Sequence, residues 1–348
     1  MNTMTDDANK ENLVPHVHQS LMAQVLPKVQ DQLKDVKTSS GFTLADVVRS
    51  GVENVDSGVG CYAPDPESYK VFAPFFDEII LLYHGYNPVT QTHRRDLDSS
   101  KLNSLPALTD ERIVSTRIRC GRNLSGFPFA PGISREQRNE VNAKVVDALK
   151  TLEGDLAGEY YDLGTMPEDI RNQMVKDHFL FKQGDRFLES AGANRDWPEG
   201  RGIFHNTDKT ALVWVNEEDE LRIISMQKGA GFLEVFDRFC RLVHALEKKL
   251  EFAFDENRGY LGSCPTNIGT AMRASVHVAL PKLGASGKLN DLAKEYGLSV
   301  RGIHGEHSES EGGVVDISNK KRIGVSEVEG VKLMYDGLVR LLKEEDSL

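Results

Sequence analysis

The chain has 348 residues, 39% of them hydrophobic, which is enough to bury one large core or two unequal ones. Its 53 acidic and 42 basic residues give a formal net charge of −11, which disfavours binding to nucleic acid or to an anionic membrane, since either partner requires a basic face. The polar start MNTMTDDANKENL and the short apolar runs, such as Ile79 to Leu82, predict neither a leader peptide nor a membrane span, so we expect a cytoplasmic protein without processing.

Residues 1 to about 90 form the first predicted region, which is mostly helical. The segments LMAQVLPKVQDQLKDV and YKVFAPFFDEIILLYHG have apolar residues at helical spacing. Between them, the loop SGVENVDSGVGCYAPD contains Gly51, Gly58 and Gly60 and favours turns. The stretch from Tyr86 to Asp110 lacks periodicity and has the composition of a linker. We therefore predict a helical domain at residues 1–103 and a second domain at residues 104–348.

The second region predicts short strands that are interrupted by long helices. The strand segments are RIVSTRIRC, ALVWV, LRIISM, AMRASVHVAL and LSVRGI, each bounded by turn-forming residues. The helical segments are FLEVFDRFCRLVHALEKKLEF and VEGVKLMYDGLVRLLKEED. Because the strands come in hairpin-like pairs rather than in a βαβ succession, we expect an α+β fold.

Arginines recur on one face of the predicted strands. Arg117 and Arg119 are two residues apart, so their side chains leave the same face of a strand, and Arg122 follows shortly after. By the same rule Arg273 shares a face with His277. The arginines at predicted strand positions are Arg117, Arg119, Arg222, Arg273 and Arg301. Such a set can converge on a polyphosphate, which guanidinium groups match by forked hydrogen bonds, and surface ion pairs with the many carboxylates are the alternative.

The sequence NEEDE, residues 216–220, forms a predicted turn between two apolar strands. Acidic turns commonly do no more than contact water, and that interpretation stays open at this point. The functional alternative is a turn that presents a carboxylate to a cationic substrate at the edge of the sheet.

Cys264 lies in LGSCPTNIGT, where Pro265 ends a predicted strand and Asn267 favours a tight turn. Such a loop can direct a thiol and several backbone N–H groups to one point, and a thiol near cations tends to ionise. The alternative is a small buried residue that precedes a turn. The remaining cysteines are Cys61, Cys120 and Cys240. Since no pair has the spacing of a metal or CxxC site, we expect free thiols in a reducing compartment.

Residues 301–313, RGIHGEHSESEGG, are rich in glycine and almost without apolar residues, which predicts a mobile loop. His304 and His307 have an HxxH spacing, but on a flexible segment this is a weak metal signal, and we predict no metal site formed by protein side chains. The segment GASGKL at 284–289 lacks the GxxxxGK[ST] spacing of a phosphate-binding loop and is set aside.

Long motifs along the chain resemble those of one family. They are SGVENVDSGVGCYAPD, STRIRCGRNLSGFPF, DHFLFKQGDRFL, RGIFHN, LVWVNEEDELRIISMQ, CPTNIGTAMRASVHVALPKL and VRGIHGEHSESEGGVVDISNKKRIG. In order and spacing they are similar to the phosphagen kinases, or ATP:guanidino kinases, over nearly the whole chain after about residue 20. The resemblance implies a small all-helical N-terminal domain, a larger domain whose antiparallel β-sheet is flanked by helices, and an active site between the two.

The resemblance also implies which residues bind the two substrates. Those for the nucleotide, ATP or ADP, are Arg117, Arg119, His178, Arg222, Arg273, His277, Arg301 and Asp316. Those for the carboxylate end of the guanidino substrate are Ser57, Gly58, Val59, Gly60 and Tyr62.

By the same resemblance, Glu218 and Glu306 pair with the substrate guanidinium, and Cys264 lies beside it. Two carboxylates can hold a guanidinium in plane and accept its proton, while arginines and Mg²⁺, held by phosphate oxygens and water, stabilise the transferred group. Residues 302–313 would act as a lid that carries Glu306, and Asp56 would pair with Arg186 when the domains close.

The N-terminal loop predicts the preferred guanidine. The loop before CYAPD is short, as in family members that act on arginine, and a short loop leaves room for a large amino acid, so we expect reversible phosphorylation of L-arginine. Cys61, His304 and RDWP at 195–198 depart from that form, which leaves taurocyamine, hypotaurocyamine, lombricine or glycocyamine as alternative substrates. A protein-arginine kinase and a non-catalytic nucleotide-binding relative are further alternatives. We expect a monomer, with a homodimer as the alternative.

Overall fold

The computed structural model describes residues 19–183, 185–302 and 313–348. In its N-terminal part the helices are α1 (Leu21–Leu33), α2 (Leu44–Glu53), α3 (Ser68–Val71) and α4 (Ala73–His84). Ser20 caps α1 by accepting a hydrogen bond from the N–H of Ala23 at 3.1 Å, and Thr43 and Asp46 form a reciprocal capping box on α2. The apolar faces of α1, α2 and α4 meet in one buried cluster, to which Val25, Val47, Phe76 and Ile79 belong.

An antiparallel sheet of eight strands lies at the centre of the larger part of the described chain. The ten strands of the described chain, eight of which form this sheet, are β1 (Ile113–Arg122), β2 (Gly158–Asp162), β3 (Gly202–Asn206), β4 (Ala211–Val215), β5 (Leu221–Lys228), β6 (Phe254–Asp255), β7 (Gly259–Tyr260), β8 (Met272–Ala279), β9 (Leu298–Arg301) and β10 (Val314–Asn319). The order in the sheet is β2-β3-β4-β5-β1-β8-β10-β9, with every neighbouring pair antiparallel, while β6 and β7 form a separate hairpin. Strand β1 therefore lies in the interior of the sheet, between β5 and β8.

Helices flank this sheet. They are α5 (Arg135–Leu149), α6 (Glu168–Lys176), α7 (Arg186–Ala191), α8 (Phe232–Glu247), α9 (Pro281–Ser286), α10 (Leu289–Glu295) and α11 (Glu327–Ser347). Apolar side chains of α8 and α11, among them Phe236 and Leu338, are fully buried in one core with Ile118 of β1 and Val276 of β8. This core covers one face of the sheet, while the side chains of the other face form the candidate site and a second apolar cluster that includes Leu212 and Ile224.

The predicted fold class is confirmed: a helical N-terminal part precedes a larger part with an antiparallel sheet flanked by helices. The domain boundary near residue 103 stays a prediction. No helix among the described residues combines the length and the apolar character needed to cross a bilayer. All four cysteines are free, as their spacing predicted, and all four are buried.

Candidate active site

Strand β1 carries the arginines whose spacing predicted a shared face. Its burial alternates, so Ile118 packs into the main core while Arg117 and Arg119 leave the opposite face. The antiparallel register places Arg119 beside Arg273 of β8. A small cavity on this face is lined by Arg119, Arg273 and Arg222 of β5, so three of the five predicted strand arginines come together here.

The guanidinium groups of this cluster are buried close together. Burial, followed by repulsion from Arg273 and Arg222, lowers the pKa of Arg117 to about 10, and burial also lowers the pKa of Arg119 well below its ordinary value. Within the residues that the structure describes, Nε of Arg117, Arg222 and Arg273 are buried without a hydrogen-bond partner. Since arginine remains protonated at neutral pH, the cluster offers positive charge and free donors to an anion with several oxygens. Arg222 and Arg273 do pair with carboxylates, but these pairs are buried and not at the surface.

Three further predicted residues lie on the neighbouring strands. Asp316 of β10 pairs in register with His277 of β8 on one side and with Arg301 of β9 on the other. Its Oδ2 lies 2.9 Å from Nη2 of Arg273 and 4.0 Å from Nε2 of His277. Burial lowers the pKa of His277, so this imidazole is neutral at pH 7.

A cleft with a volume of about 760 Å³ lies beside the arginine cluster. Phe181, Trp197 and Trp214 give it an aromatic side, and His178, with a left-handed φ of 61°, also lines it. The guanidinium carbon of Arg117 lies 5.3 Å from the Trp214 ring centroid, which connects the cleft to the cluster. The volume is typical of small-molecule and cofactor sites.

The acidic turn between β4 and β5 is built into the site. Nη2 of Arg222 lies 2.9 Å from Oε2 of Glu218 and 3.0 Å from Oε2 of Glu217. Asp219 and Glu220 are 2% and 1% exposed, so the interpretation as a merely solvated turn is wrong. Burial alone would raise the pKa of Glu218, but Arg222 and a hydrogen bond from the Asn267 amide, 2.9 Å from Oε1, outweigh it and hold that pKa below its ordinary value. Glu218 is therefore ionised at neutral pH.

The loop after β7 brings Cys264 to this carboxylate. The N–H of Asn267 donates to the carbonyl of Cys264 at 2.9 Å, which forms the predicted tight turn, and the thiol lies 3.1 Å from the Thr266 hydroxyl. Burial, with the charge of Glu218 adding to it, raises the pKa of the Cys264 thiol to about 12. In the chain without substrate, burial and, after it, the charge of Glu218 thus favour the neutral thiol over the ionised form that cations would favour.

The predicted substrate loop packs against α1 and α2. The carbonyls of Gly58 and Val59 accept hydrogen bonds from the N–H groups of Leu21 and Met22 at 3.1 and 2.9 Å. Gly60 has a φ of +82°, which favours glycine, and its carbonyl accepts from a backbone N–H of α2 at 3.1 Å. Ser57 is buried at the start of the loop.

Tyr62 follows this loop and reaches the acidic site. Its ring is half-buried and packs against a small apolar cluster of Ala130, Leu188 and Ala193. Burial raises the pKa of the Tyr62 phenol, and the neighbouring Cys264 and Glu218 add to the effect. The loop therefore ends beside the residues that were predicted to bind the guanidinium.

Helix α7, which lines the cleft with Arg186 and Leu188, contacts α2 and the residues that follow it. The guanidinium of Arg186 pairs with the Asp56 carboxylate, with Nη1 2.9 Å from Oδ1, although both side chains are more than half exposed. The hydroxyl of Ser50 donates to the carbonyl of Phe187 at 2.8 Å. Asp56 and Arg186 are therefore paired in this structure, and the dependence of their pair on domain closure stays a prediction.

Two arginines differ from what the sequence suggested. Arg122 lies on the opposite face of β1, fully buried and 3.9 Å from Glu327, so it does not join the cluster. Arg322, which sequence reasoning missed, lines the cavity with Arg119 and contacts the Asn267 side chain. The signal for Arg322 was weak, since it stands in the basic run NKKR, which resembles ordinary surface sequence.

The remaining predictions concern residues 303–312, which lie outside the described part of the chain. They include the catalytic assignment of Glu306, the lid, and the weak metal signal of His304 and His307. These expectations stay predictions.

Sequence comparison identifies relatives along both parts of the chain. The chain matches the ATP:guanido phosphotransferase N-terminal domain at residues 16–81 and the C-terminal catalytic domain of the same family at residues 140–348. It is 52% identical to an arginine kinase of Limulus polyphemus over 332 residues, which is 94% of this chain and 93% of that protein. It is 51% identical over 338 residues to an arginine kinase of Anthopleura japonica, covering 96% of this chain but only 47% of that longer protein.

Structural comparison agrees with these matches. A crystal structure of lombricine kinase superposes with a TM-score of 0.89 at 39% identity, covering 95% of this chain and 93% of that chain. Family resemblance, fold and relatives thus lead to one conclusion: the chain belongs to the ATP:guanido phosphotransferase family.

Proposed function

We propose that this protein transfers the γ-phosphoryl group of MgATP reversibly to L-arginine. The observation that carries the proposal is the ionised Glu218, held by Arg222 and the Asn267 amide at the edge of a buried arginine cluster. A carboxylate that can bind a cation, Glu218, thus lies next to an arginine cluster that can bind a polyphosphate. The arginine kinases among the relatives, one of which is matched over 93% of its length, support arginine as the cation.

The chemistry follows from these two adjoining sites. A guanidinium is a poor nucleophile because it stays protonated at neutral pH. Glu218 binds it by two-point hydrogen bonding, directs one nitrogen at the γ-phosphorus and accepts the proton that is lost. Glu306 is proposed as the second carboxylate, on the resemblance alone.

The arginine cluster acts on the nucleotide in this proposal. Its members would neutralise the phosphate oxygens, whose charge spreads in the transition state, while the protein contributes mainly alignment. They are Arg117, Arg119, Arg222, Arg273, Arg301 and, in addition, Arg322. Asp316 would orient Arg273, and His178 and His277 would contact the nucleoside.

Mg²⁺ is proposed to enter as part of the nucleotide substrate. Among the described residues, no group of three or more His, Cys, Asp or Glu side chains is placed to hold a metal ion. Phosphate oxygens and water are the ligands that Mg²⁺ prefers at such sites, and it would add positive charge to that of the arginines.

The N-terminal loop would select the substrate. Residues 57–60 and Tyr62 end beside Glu218 and Cys264, which suits a small molecule with a carboxylate at the far end from its guanidinium. The Cys264 thiol is neutral in the empty site, and an arriving guanidinium would lower its pKa by opposite charge.

A kinase for another small guanidine is the second candidate, and the structural similarity to lombricine kinase favours it. A substrate panel decides: ATP consumption is measured with L-arginine, lombricine, taurocyamine, hypotaurocyamine, glycocyamine and creatine at equal concentrations, with Glu218→Gln as the inactive control. Highest kcat/KM with L-arginine supports the proposal, and a higher value with any other guanidine refutes it.

The domain boundary near residue 103, a monomeric state and a cytoplasmic location complete the proposal. The boundary falls between the two matched family regions, 16–81 and 140–348. Limited proteolysis and light scattering test the boundary and the monomer.

A further inference from the structure

The loop that carries Cys264 is held from the N-terminal helical part of the chain. Three donors of that part reach three of the four backbone carbonyls from residue 262 to residue 265. The pairs are the Tyr69 hydroxyl with the Gly262 carbonyl at 2.8 Å, the Ala63 N–H with the Ser263 carbonyl at 2.6 Å, and His84 Nε2 with the Pro265 carbonyl at 2.9 Å. Residues that lie about 180 positions or more before the loop in the sequence therefore hold it by hydrogen bonds on both sides of the thiol.

The structure defines the tautomer of His84 and the burial of the Tyr69 hydroxyl, the two side-chain donors. A carbonyl only accepts, so the hydrogen of His84 must be on Nε2. Burial lowers the pKa of His84 to about 4, and the ring is neutral at pH 7. Tyr69 is 1% exposed, so its hydroxyl has no access to water as a substitute partner.

The opposite side of the same loop contacts the acidic site. The Asn267 amide donates to Oε1 of Glu218 at 2.9 Å, and the Asn267 N–H closes the turn on the Cys264 carbonyl. Nη1 of Arg322 lies 3.3 Å from the carbonyl of Thr266. A shift of the loop therefore moves the thiol and a hydrogen-bond partner of Glu218 together.

We propose that Tyr69 and His84 are positioning residues for phosphoryl transfer, which hold the Cys264 loop so that its thiol and Asn267 amide meet the guanidinium bound to Glu218. The inference rests on the proposed function. The helical part of the chain then has a second task besides substrate selection, since it fixes the geometry of the reacting end of the site.

Conservative variants isolate the two hydrogen bonds. Tyr69→Phe removes only the hydroxyl, and His84→Phe keeps a ring without a donor. His84→Gln places an amide N–H near the position of the lost ring N–H and should restore function. Tyr86→Phe is the matched control, because the Tyr86 hydroxyl makes the same kind of bond, 2.7 Å to the carbonyl of Asn257, outside the Cys264 loop.

Steady-state kinetics with MgATP and L-arginine give the first measurement. Loss of one aligning hydrogen bond is expected to lower kcat about tenfold in Tyr69→Phe and His84→Phe, with KM for MgATP within about twofold of wild type. His84→Gln should retain at least about a third of wild-type kcat, and Tyr86→Phe should match wild type. Equal losses in all three Phe variants would overturn the proposal, since they would report only general domain packing.

Alkylation of Cys264 by iodoacetamide, mapped by peptide mass spectrometry, gives the second measurement. A loosened loop should react several-fold faster in Tyr69→Phe and His84→Phe than in wild type and Tyr86→Phe. This readout needs no turnover, so it decides the positioning role even if the wild-type protein fails to phosphorylate arginine, a result that would refute only the proposed function. Wild-type kcat and wild-type alkylation rates in both variants would overturn the inference.

Discussion

Replacing Glu220 by glutamine should make the folded protein progressively more stable, relative to wild type, as the pH rises. Glu220 is 1% exposed; its Oε2 accepts from the N–H of Leu124 at 2.6 Å, and its Oε1 is buried without a partner among the described residues. Burial, opposed by the bond from Leu124 and assisted by Asp219, raises the pKa of this carboxyl from 4.5 to about 8.

The magnitude follows from linkage. Between pH 4.5 and about 8 the unfolded chain has lost this proton and the folded chain keeps it, so the folded state binds more protons and loses stability as the pH rises. Each pH unit costs about 1.4 kcal/mol, which amounts to roughly 3 kcal/mol at pH 7 and about 5 kcal/mol above pH 8. Glutamine does not titrate and escapes this loss. Its amide leaves two buried N–H groups without a partner among the described residues, but that penalty is the same at every pH.

The assay is urea unfolding of wild type and Glu220→Gln at several pH values from about 5 to 9. The difference in unfolding free energy should change by several kcal/mol across that range in favour of glutamine, whatever its value at the lowest pH. Glu153→Gln, at an exposed position, controls for the removal of one negative charge. A difference that stays constant with pH would refute the reasoning, because it would mean that Glu220 ionises at the same pH in the folded and unfolded chains.

Three further predictions concern the site. Glu218→Gln should lower kcat by about 100-fold or more, because the substrate guanidinium loses its ionised partner, while the Kd for MgADP, measured by calorimetry, stays within about threefold, because Arg222 keeps its ion pair with Glu217. Cys264→Ala should likewise lower turnover with ADP affinity nearly intact. In the empty protein, the alkylation rate of Cys264 should still rise with pH at about pH 10, because burial raises the pKa of its thiol to about 12. A plateau of the rate near pH 8.5 would contradict this. Gly60→Ala should lower stability by about 1–3 kcal/mol in thermal unfolding, because its φ is +82° and a Cβ would lie 3.0 Å from the Ser20 hydroxyl oxygen, whereas Gly58→Ala, with open space around it, should not.

Local patterns predicted the centre of the sheet well. Alternation in RIVSTRIRC predicted a strand that the structure has at Ile113–Arg122, and ALVWV coincides with β4. Successive side chains of a strand alternate between its two faces, which places Arg122 on the face opposite to Arg117 and Arg119. Strict use of this alternation would have excluded Arg122 from the cluster. Patterns of period two carry this information because one face of an interior strand must be apolar.

Elements without such a pattern were missed. Helix α5 has a polar sequence, REQRNEVNAKVVDAL, whose apolar positions are too few to reveal its buried face. The edge strand β2 is half-exposed, and β10 directly follows a glycine-rich stretch that predicts a loop. In these segments tertiary packing rather than local preference decides the structure.

Proximity across long sequence separations could not be read from local patterns. Arg322 joins Arg119 only because β1 and β10 both flank β8, and nothing in NKKR indicates that pairing. The pKa of Cys264 depended in the same way on Glu218, which the loop sequence does not contain.

The buried arginine cluster has a consequence for the folding equilibrium of the empty enzyme. The guanidinium groups of the cluster repel one another and leave donors without a partner among the described residues, which destabilises the native state. The unfolded chain has no such cluster. An anion that fills the cluster binds only the native chain, so at a hundred times its Kd it adds about 2.7 kcal/mol to the free energy of unfolding. The nucleotide pool then stabilises the folded protein, and the lifetime of the protein increases with the supply of its own substrate.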